Sequence, residues 1–121
     1  MQRDMDLVRQ ILLKIEADPN PMGPSGDFVI TGVHRDIVGY HLKLLDEAGY
    51  IETINIATRD QPLDRLVNGL TWSGHEFLDA ARDDGRWEKA KALLGGTFNT
   101  VTVKVLNDLL VSLIKGTLWL P

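Results

Sequence analysis

Apolar residues near the start of the chain recur at the spacing of an amphipathic helix. This periodicity predicts a first helix that ends near Ala17. Asp4 or Asp6 is expected to cap its free backbone amides and to complement the positive end of the helix dipole. The helix cannot continue through Pro19 and Pro21, because proline lacks the amide proton that the helical hydrogen bonds require. The apolar stripe consists of Leu7, Ile11, Leu12 and Ile15, with Val8 alongside.

A second helix is predicted from residue 33 or 34 to Ala48, after a loop rich in proline and glycine. Between the loop and this helix, residues 28–31 form an aromatic and β-branched run that predicts a short strand. Gly49 follows the helix at the position of a left-handed C-terminal cap. One helix face carries Ile37, Leu44, Leu45 and Ala48, flanked by Val38 and Leu42, and the opposite side carries Arg35, Gly39, Lys43 and Asp46.

A β-hairpin is predicted after the second helix. Residues 50–56 alternate between apolar and polar side chains, which is typical of a strand with one buried face. Residues 57–68 are polar and include Pro62, and residues 70–72 form the predicted second strand. The connecting loop is longer than a tight turn, so it is consistent with a wing.

Helix signals follow the hairpin. Residues 73–76 read Ser-Gly-His-Glu, which matches the capping box at the start of a helix. This helix either breaks at residues 83–85 or continues to Leu94, and the sequence leaves both alternatives open. Gly95 and Gly96 end it. A last helix is predicted over residues 101–115, with a strand over residues 100–105 as the alternative. Its apolar side carries Val103, Leu106, Leu110, Leu113 and Ile114.

The predicted order of helix, strand, helix, hairpin and helices places the fold in the α+β class. A helix followed by a β-hairpin is the pattern of a winged helix, and the first strand can pair at the hairpin edge. Residues 1–94 are predicted to form this domain, and residues 95–121 an additional C-terminal helix with an apolar tail that dimerises or packs on the same domain. Residues 18–32 hold a loop and a strand where a winged helix usually has another helix, so the motif is predicted to be abbreviated.

The composition is that of one globular domain, with 121 residues of which 44% are hydrophobic and 25% charged. The absence of cysteine excludes disulfides, thiolate catalysis and cysteine-ligated metal sites. The charged N-terminus does not match a signal peptide. The apolar stretch over residues 105–114 is far shorter than the ~20 residues of a membrane span. These features predict a cytoplasmic protein that does not bind membranes.

The predicted winged helix makes double-stranded DNA a candidate partner. Arg35, Gly39 and Lys43 would then contact the groove from a recognition helix, while Arg59 and Arg65 would reach phosphates from the wing. The formal net charge of −4 argues against this, because phosphate neutralisation supplies most nucleic-acid affinity. Neither the helix nor the hairpin is net basic. The alternative is that these residues form a solvated helix face and a solvated loop.

Two resemblances bear on the fold. Residues 40–52 read YHLKLLDEAGYIE and resemble the recognition helix and first wing strand of bacterial winged-helix repressors. Together with residues 1–13 and 70–84, they resemble a family of small bacterial and prophage proteins of unknown function. This resemblance covers roughly residues 1–94 and implies a winged-helix-like fold in a bacterial or prophage setting. It implies no catalytic or binding residues.

No arrangement of residues predicts catalysis. No two histidines lie at the spacing that places two metal ligands on one helix face. The aspartates of the third predicted helix lack the partner that acid–base catalysis needs, and Ser73 is not in a nucleophile elbow. We therefore predict a protein without enzymatic activity, metal or cofactor. The histidines and aspartates considered are His34, His41, His75, Asp79, Asp83 and Asp84.

The apolar C-terminal segment predicts an oligomer interface, because exposed leucine and tryptophan side chains form the kind of patch that marks protein contacts. Packing across a twofold axis would give a homodimer, and the alternative is a tail folded back on its own core. Two functional hypotheses follow. One is a homodimeric winged-helix transcriptional regulator, and the other is a non-catalytic protein-interaction module that does not bind DNA. The predicted interface residues are Leu106, Leu110, Leu113, Leu118, Trp119 and Leu120.

Overall fold

The computed structural model of the protein describes residues 1–24 and 26–116. These residues form five α-helices and one two-stranded antiparallel sheet, which confirms the α+β class. No helix among them has the length and apolar character needed to cross a membrane. The elements are α1 (Met5–Ala17), α2 (Arg35–Glu47), β1 (Ile51–Asn55), β2 (Arg65–Leu70), α3 (Trp72–Ala81), α4 (Asp84–Leu94) and α5 (Val103–Lys115), with a 3-10 turn at Gly95–Thr97.

Helix α1 forms as its sequence pattern predicts. Asp4 caps it by accepting a hydrogen bond from the backbone amide of Leu7 at 3.2 Å, which satisfies one free donor of the first turn. The predicted apolar stripe is buried, and Ile11 and Leu12 are completely inaccessible to solvent. Because α1 contacts α2, α3 and β2, this stripe forms the middle of the core.

The predicted strand at residues 28–31 is wrong. These residues have no regular secondary structure, and within the described parts of the chain the sheet consists of β1 and β2 alone. Ile30 is buried in the core instead. Lys14 of α1 donates a hydrogen bond to the carbonyl of Val29, and its ammonium group lies 5.3 Å from the centroid of the Phe28 ring. The apolar run therefore packs against α1 and does not pair at the hairpin edge.

Helix α2 forms where it is predicted, but its buried face is rotated from the predicted one. The imidazole of His34 caps the helix by accepting a hydrogen bond from the backbone amide of Asp36 at 3.0 Å. Ile37 and Ala48, both expected in the core, are exposed. The hairpin covers the side of the helix that was expected to face solvent. The buried residues of α2 are Val38, Gly39, His41, Leu42 and Leu45.

The hairpin follows α2 directly. Gly49 makes the turn with a φ of +82°, in the left-handed region that glycine adopts most easily. Strands β1 and β2 then pair antiparallel, with Ile51 opposite Leu70. The first strand is confirmed, whereas the second runs from Arg65 to Leu70 and its predicted position at residues 70–72 is wrong. The loop between the strands therefore covers residues 56–64.

The capping box predicted on Ser73 is wrong, because α3 begins earlier, at Trp72. The hydroxyl of Thr71 is the cap and accepts a hydrogen bond from the backbone amide of Gly74 at 3.1 Å. A β-carbon at Gly74 would overlap the carbonyl oxygen of Tyr50. The absence of a side chain at this position thus allows the first turn of α3 to pack against the base of the hairpin.

The segment after α3 breaks at residues 83–85, one of the two alternatives that the sequence leaves open. Asp83 caps α4 and accepts a hydrogen bond from the backbone amide of Arg86 at 2.7 Å. Helix α4 ends before Gly95, whose φ is +55°. Its Trp87 ring is buried and packs edge-on against Phe98, with 5.2 Å between the ring centroids. The two glycines therefore stop the helix as predicted.

Helix α5 closes the core from the C-terminal side. Thr102 caps it by accepting a hydrogen bond from the backbone amide of Val105 at 3.2 Å, and Gly116 ends it in the left-handed conformation. The segment at residues 103–105 is thus helical, and the strand alternative is wrong. The helix packs against α3 and α4. Its buried residues are Leu106, Leu109 and Leu110.

Candidate interaction surfaces

Arg35, in the first turn of the predicted recognition helix α2, is held by the hairpin loop. Its Nε and Nη2 atoms donate hydrogen bonds to the two carboxylate oxygens of Asp64 at 2.9 and 2.6 Å. Asp27 lies 3.7 Å from the same guanidinium group. Paired hydrogen bonds of this kind are among the strongest that arginine forms with a carboxylate. The hydrogen bonds with Asp64 raise the pKa of Arg35.

Arg65, at the start of β2, belongs to a cluster that joins the hairpin to the end of α2. Its Nη1 atom donates a hydrogen bond to Thr53 Oγ1 at 2.9 Å and lies 3.7 Å from a carboxylate oxygen of Asp46. That oxygen also accepts hydrogen bonds from the hydroxyl and the backbone amide of Thr53. The Arg65 side chain is only 18% exposed. It therefore fixes the position of the hairpin and is poorly placed to meet a phosphate.

Gly39 lies beneath the hairpin loop rather than on an open helix face. A β-carbon at this position would be 2.5 Å from the carbonyl oxygen of Leu63 and 3.0 Å from the Leu63 side chain. The loop can approach α2 this closely because glycine has no side chain. Gly39 is consequently buried, and a ligand that binds α2 from solvent would not touch it.

The surface around these residues is net negative. Lys43 lies 3.9 Å from Glu47, one helical turn later. Arg59 is exposed in the hairpin loop and makes no ion pair with the described residues. Between residues 27 and 65 the chain carries seven carboxylates and four arginine and lysine side chains. We name this surface, formed by α2, the hairpin and residues 26–33, the α2–hairpin surface.

A cleft of about 140 Å³ opens on the α2–hairpin surface between residues 26–33, α2 and the hairpin loop. Val29 at its edge is 56% exposed and Ile56 is 44% exposed. Arg35 and Asp64 form part of the wall and are bound to each other. Every buried polar side chain in the described residues has a hydrogen-bond partner, so no unpaired group in the cleft points to a ligand.

A second cavity, of about 120 Å³, lies where α1, α2, α3 and the start of α5 meet. We call it the α1–α2 groove. Its lining is mostly apolar, and its one charged residue, Arg3, donates a hydrogen bond to the carbonyl of Val101 at 3.2 Å. On the same side of α2, Ile37 extends the apolar surface and is 36% exposed. The groove is lined by Arg3, Met5, Val8, Leu44, Leu45, Ala48, Tyr50, Phe77 and Val103.

His41 joins α1 to α2 beside this groove. It is 1% exposed, and its Nε2 atom accepts a hydrogen bond from the backbone amide of Asp4 at 2.9 Å. Because an amide can only donate, the ring proton lies on Nδ1 and is donated to the carbonyl of Ile37 at 2.8 Å. The imidazole is therefore neutral, and it fixes the start of α1 against α2.

Comparison with known proteins places the chain in a family. Residues 2–97 match the family described as "Hypothetical protein (DUF2513)". The chain belongs to the DUF2513 family. It is 38% identical over 94 residues to an uncharacterized protein of Haemophilus influenzae, which covers 78% of this chain and 79% of the relative. No solved structure matches the chain significantly. The resemblance to a family of unknown function is thus confirmed.

The residues predicted to form an oligomer interface occupy different environments in this DUF2513 chain. Leu106 and Leu110 are completely buried, and Leu113 is partly buried against the same core. These positions repeat at helical spacing because α5 packs on α3 and α4 of its own chain, so they offer little surface to a second molecule. The predicted interface residues 118–120 lie outside the described residues.

In this DUF2513 chain two of the histidines form hydrogen bonds that stabilise helices, and the third is exposed. His34 caps α2, His41 joins α1 to α2, and His75 is exposed in the first turns of α3. Within residues 1–24 and 26–116, no three histidine, aspartate or glutamate side chains are grouped so that they could hold a metal ion.

Two features of the surface were not predicted from the sequence. Trp72 is 81% exposed, although its position was assigned to a strand end. The signal that could have located it is Thr71, an alternative cap that starts the helix at residue 72 and turns the indole outward. The α1–α2 groove depends on contacts between residues far apart in the sequence, so no local sequence pattern predicts it.

Proposed function

We propose that this chain is a non-catalytic protein-interaction module built on a winged-helix-like scaffold. The order α1, α2, hairpin and α3 supports the scaffold, as does the direct passage from α2 through Gly49 into β1. Residues 18–24 and 26–34 contain no helix, at the place where a winged helix usually has another one. A bacterial or prophage setting and a cytoplasmic location belong to the same proposal, and the relative from Haemophilus influenzae supports a bacterial one.

The pairing of cations with carboxylates on the α2–hairpin surface is the observation that favours a protein partner over DNA. Arg35 and Arg65 are bound to Asp64 and Asp46, and both pairs hold the hairpin on α2. To reach a phosphate, Arg35 would have to leave Asp64, and the freed carboxylate would then repel the DNA backbone. Such a surface releases few counterions on binding, so the main source of nucleic-acid affinity is weak.

An exposed tryptophan provides a contact for a protein partner. Trp72 projects from the base of the hairpin, two residues after β2 ends, and is 81% exposed. Tryptophan offers a large apolar area together with an indole N–H donor, and it is enriched among the residues that contribute most to protein–protein affinity. In this proposal the partner protein covers the Trp72 ring.

Site-specific photo-crosslinking tests the protein-interaction proposal. A photoreactive amino acid at the exposed position of Ser73, beside an intact Trp72, is expected to form an adduct with a bacterial protein, whereas the same group at the exposed position of Lys89 on α4 is not. Excess wild-type protein should compete for the adduct, and a Trp72→Ala variant should compete poorly. If the adducts at the two positions are the same, or if both competitors act equally, the proposal is wrong.

DNA binding is the second candidate function, and the specific observation in its favour is Arg59. This side chain is exposed in the hairpin loop and makes no ion pair with the described residues. Titration of labelled duplex DNA, of random and genomic sequence, separates the two candidates. Binding that weakens steeply with salt and is lost in Arg59→Ala would support a DNA-binding regulator. Absence of binding even at about 50 mM salt would exclude it, since electrostatic affinity is largest there.

A further inference from the structure

The α1–α2 groove leaves apolar side chains uncovered at helical spacing. Leu44 is half-buried and Ala48 is exposed. Ile37, two turns before Leu44 on α2, continues the same stripe. A stripe of this kind normally packs against another element, because apolar surface is more stable out of water. The neighbouring residues Val8, Phe77 and Val103 line the groove without covering the stripe.

The chain itself carries an apolar segment suited to such a groove. Residues 118–120 read Leu-Trp-Leu and follow α5 after Gly116 and Thr117. Leucine and tryptophan are the side chains that gain most from transfer into an apolar site. The segment lies outside the described residues, and its first residue, Leu118, is two positions beyond Gly116.

Covalent geometry decides which copy of the chain can deliver this segment. The groove lies against Val103 at the first turn of α5, whereas the segment leaves from Gly116 at the opposite end of the same helix. With a rise of 1.5 Å per residue, these two ends are about 20 Å apart. Trp119 is three residues beyond Gly116, so its Cα atom reaches at most about 11 Å from it. Even with its indole extended toward the groove, a tryptophan of the same copy therefore reaches at most the rim beside Val103 and does not fill the groove.

We propose that the α1–α2 groove of one copy binds residues 118–120 of a second copy of this chain. Exchange of the segment in both directions gives a closed dimer with two identical contacts. Trp119 fills the apolar groove, and Leu118 and Leu120 cover the exposed stripe of α2. This self-association is separate from the proposed function, because it uses the face of α2 that carries Leu44 and Ala48 and does not involve Trp72 or the hairpin loop.

Two variants of the full chain remove the contact from opposite sides. Trp119→Ala removes the inserted side chain, and Ala48→Glu places a charge at the edge of the groove. Ala48 is exposed, so the glutamate is accommodated in the folded chain. Ala57→Glu is the matched control, since it adds the same charge at an exposed position of the hairpin loop. Sedimentation equilibrium should give a dimer for the wild type and the control, and a monomer for both variants.

A mixture of the two variants provides the sharper test. Ala48→Glu keeps the segment and Trp119→Ala keeps the groove, so the mixture can restore one of the two contacts. We expect a heterodimer in the mixture, weaker than the wild-type dimer, although each variant alone is monomeric. A wild-type monomer, a dimeric Trp119→Ala variant, or a mixture that stays monomeric would each overturn the proposal. A wild-type protein that is monomeric and whose melting temperature falls in Trp119→Ala would show that the segment packs on its own copy, and would also overturn it.

Binding of a synthetic peptide of residues 116–121 excludes an indirect effect of the substitutions. The labelled peptide should bind the Trp119→Ala chain, whose groove is intact, and its affinity for a chain with both Trp119→Ala and Ala48→Glu should be at least about tenfold lower, because the added charge must be buried. A peptide that carries alanine in place of Trp119 should bind about thirtyfold more weakly, as expected for a central tryptophan. Equal affinity of the peptide for both chains would contradict the proposal. Photo-crosslinking at position 73 is independent of all these results.

Discussion

The β-carbon of any residue larger than glycine at position 39 would lie 2.5 Å from the carbonyl oxygen of Leu63. We therefore predict that Gly39→Ala destabilises the protein by about 1–3 kcal/mol, because the hairpin loop must move away from α2. The cost of moving the loop exceeds the stabilisation of roughly 1 kcal/mol that alanine provides over glycine inside a helix. Urea denaturation measures the free energy of unfolding.

Gly85→Ala on α4 is the control for this prediction. The nearest atom to a β-carbon there is a carboxylate oxygen of Asp83 at 3.4 Å, which is an ordinary contact. Alanine should therefore leave the stability unchanged or raise it by up to about 1 kcal/mol. If both substitutions had the same effect, the close packing of the hairpin loop on α2 would be disproved.

His41 is predicted to contribute to stability through its two hydrogen bonds. His41→Leu leaves the backbone amide of Asp4 without its acceptor and should cost about 1–3 kcal/mol. His41→Gln should cost clearly less, because its amide oxygen can take the place of the Nε2 atom. Thermal unfolding of the two variants measures the difference. Equal losses would indicate that the volume of the ring matters and its hydrogen bonds do not.

The sequence alone was sufficient for elements whose determinants are local. The aspartate cap of α1, its apolar stripe and the left-handed turn at Gly49 depend on neighbouring residues, and each is confirmed, with Asp4 as the cap of the two candidates Asp4 and Asp6. The break before α4 also depends on a local cap, at Asp83, although the sequence could not choose it over a continuous helix.

The candidate surfaces could not be predicted, because they depend on contacts between distant residues. Apolar side chains occupy more than half of the circumference of α2, so periodicity did not decide whether the side of Ile37 or the side of Val38 would be buried. The close approach of Leu63 to Gly39 settles the rotation, and Asp64 reaches Arg35 from the same loop. In the sequence pattern Arg35 reads as a free cation, whereas in the folded chain it is paired with Asp64.

The pairing of Arg35 with Asp64 is predicted to suppress contacts with DNA. Asp64→Asn removes the carboxylate charge, so Arg35 becomes available to a phosphate. The variant should bind random duplex DNA more tightly than the wild type at low salt, and its salt dependence should be steeper by about 0.9 in the slope of log K against log salt, the value for one added phosphate contact. Fluorescence anisotropy measures both quantities.

Glu88→Gln is the control for Asp64→Asn, since it makes the same charge change at an exposed position on α4. It should leave the salt dependence of DNA binding close to that of the wild type. If the two variants gained the same affinity, net charge would explain the effect, and the local pairing of Arg35 would not.

Asp6 is predicted to make stability depend on pH in acid. Its partial burial acts to raise its pKa, but hydrogen bonds from Lys91 at 2.6 Å and from the Trp87 indole at 2.8 Å outweigh this, so that the pKa is lower than the ordinary value of 3.8. A carboxyl group with a lowered pKa in the folded state stabilises the protein above the pKa of the unfolded chain. This contribution is lost as the pH falls below about 4 and the folded state takes up the proton.

Asp6→Asn tests this prediction, because asparagine keeps an oxygen for the Trp87 indole and removes the titrating charge. The wild type should be more stable than the variant near neutral pH, and the difference should shrink as the pH falls to about 3. Urea denaturation across this range measures it, with Glu76→Gln as the control for loss of an exposed carboxylate on another helix, α3. Comparing variants removes the contribution of other carboxyl groups, such as Glu16, whose pKa is lowered by its hydrogen bonds with Arg82. A difference between wild type and Asp6→Asn that stays constant with pH would mean that the charge of Asp6 does not stabilise the contact between α1 and α4.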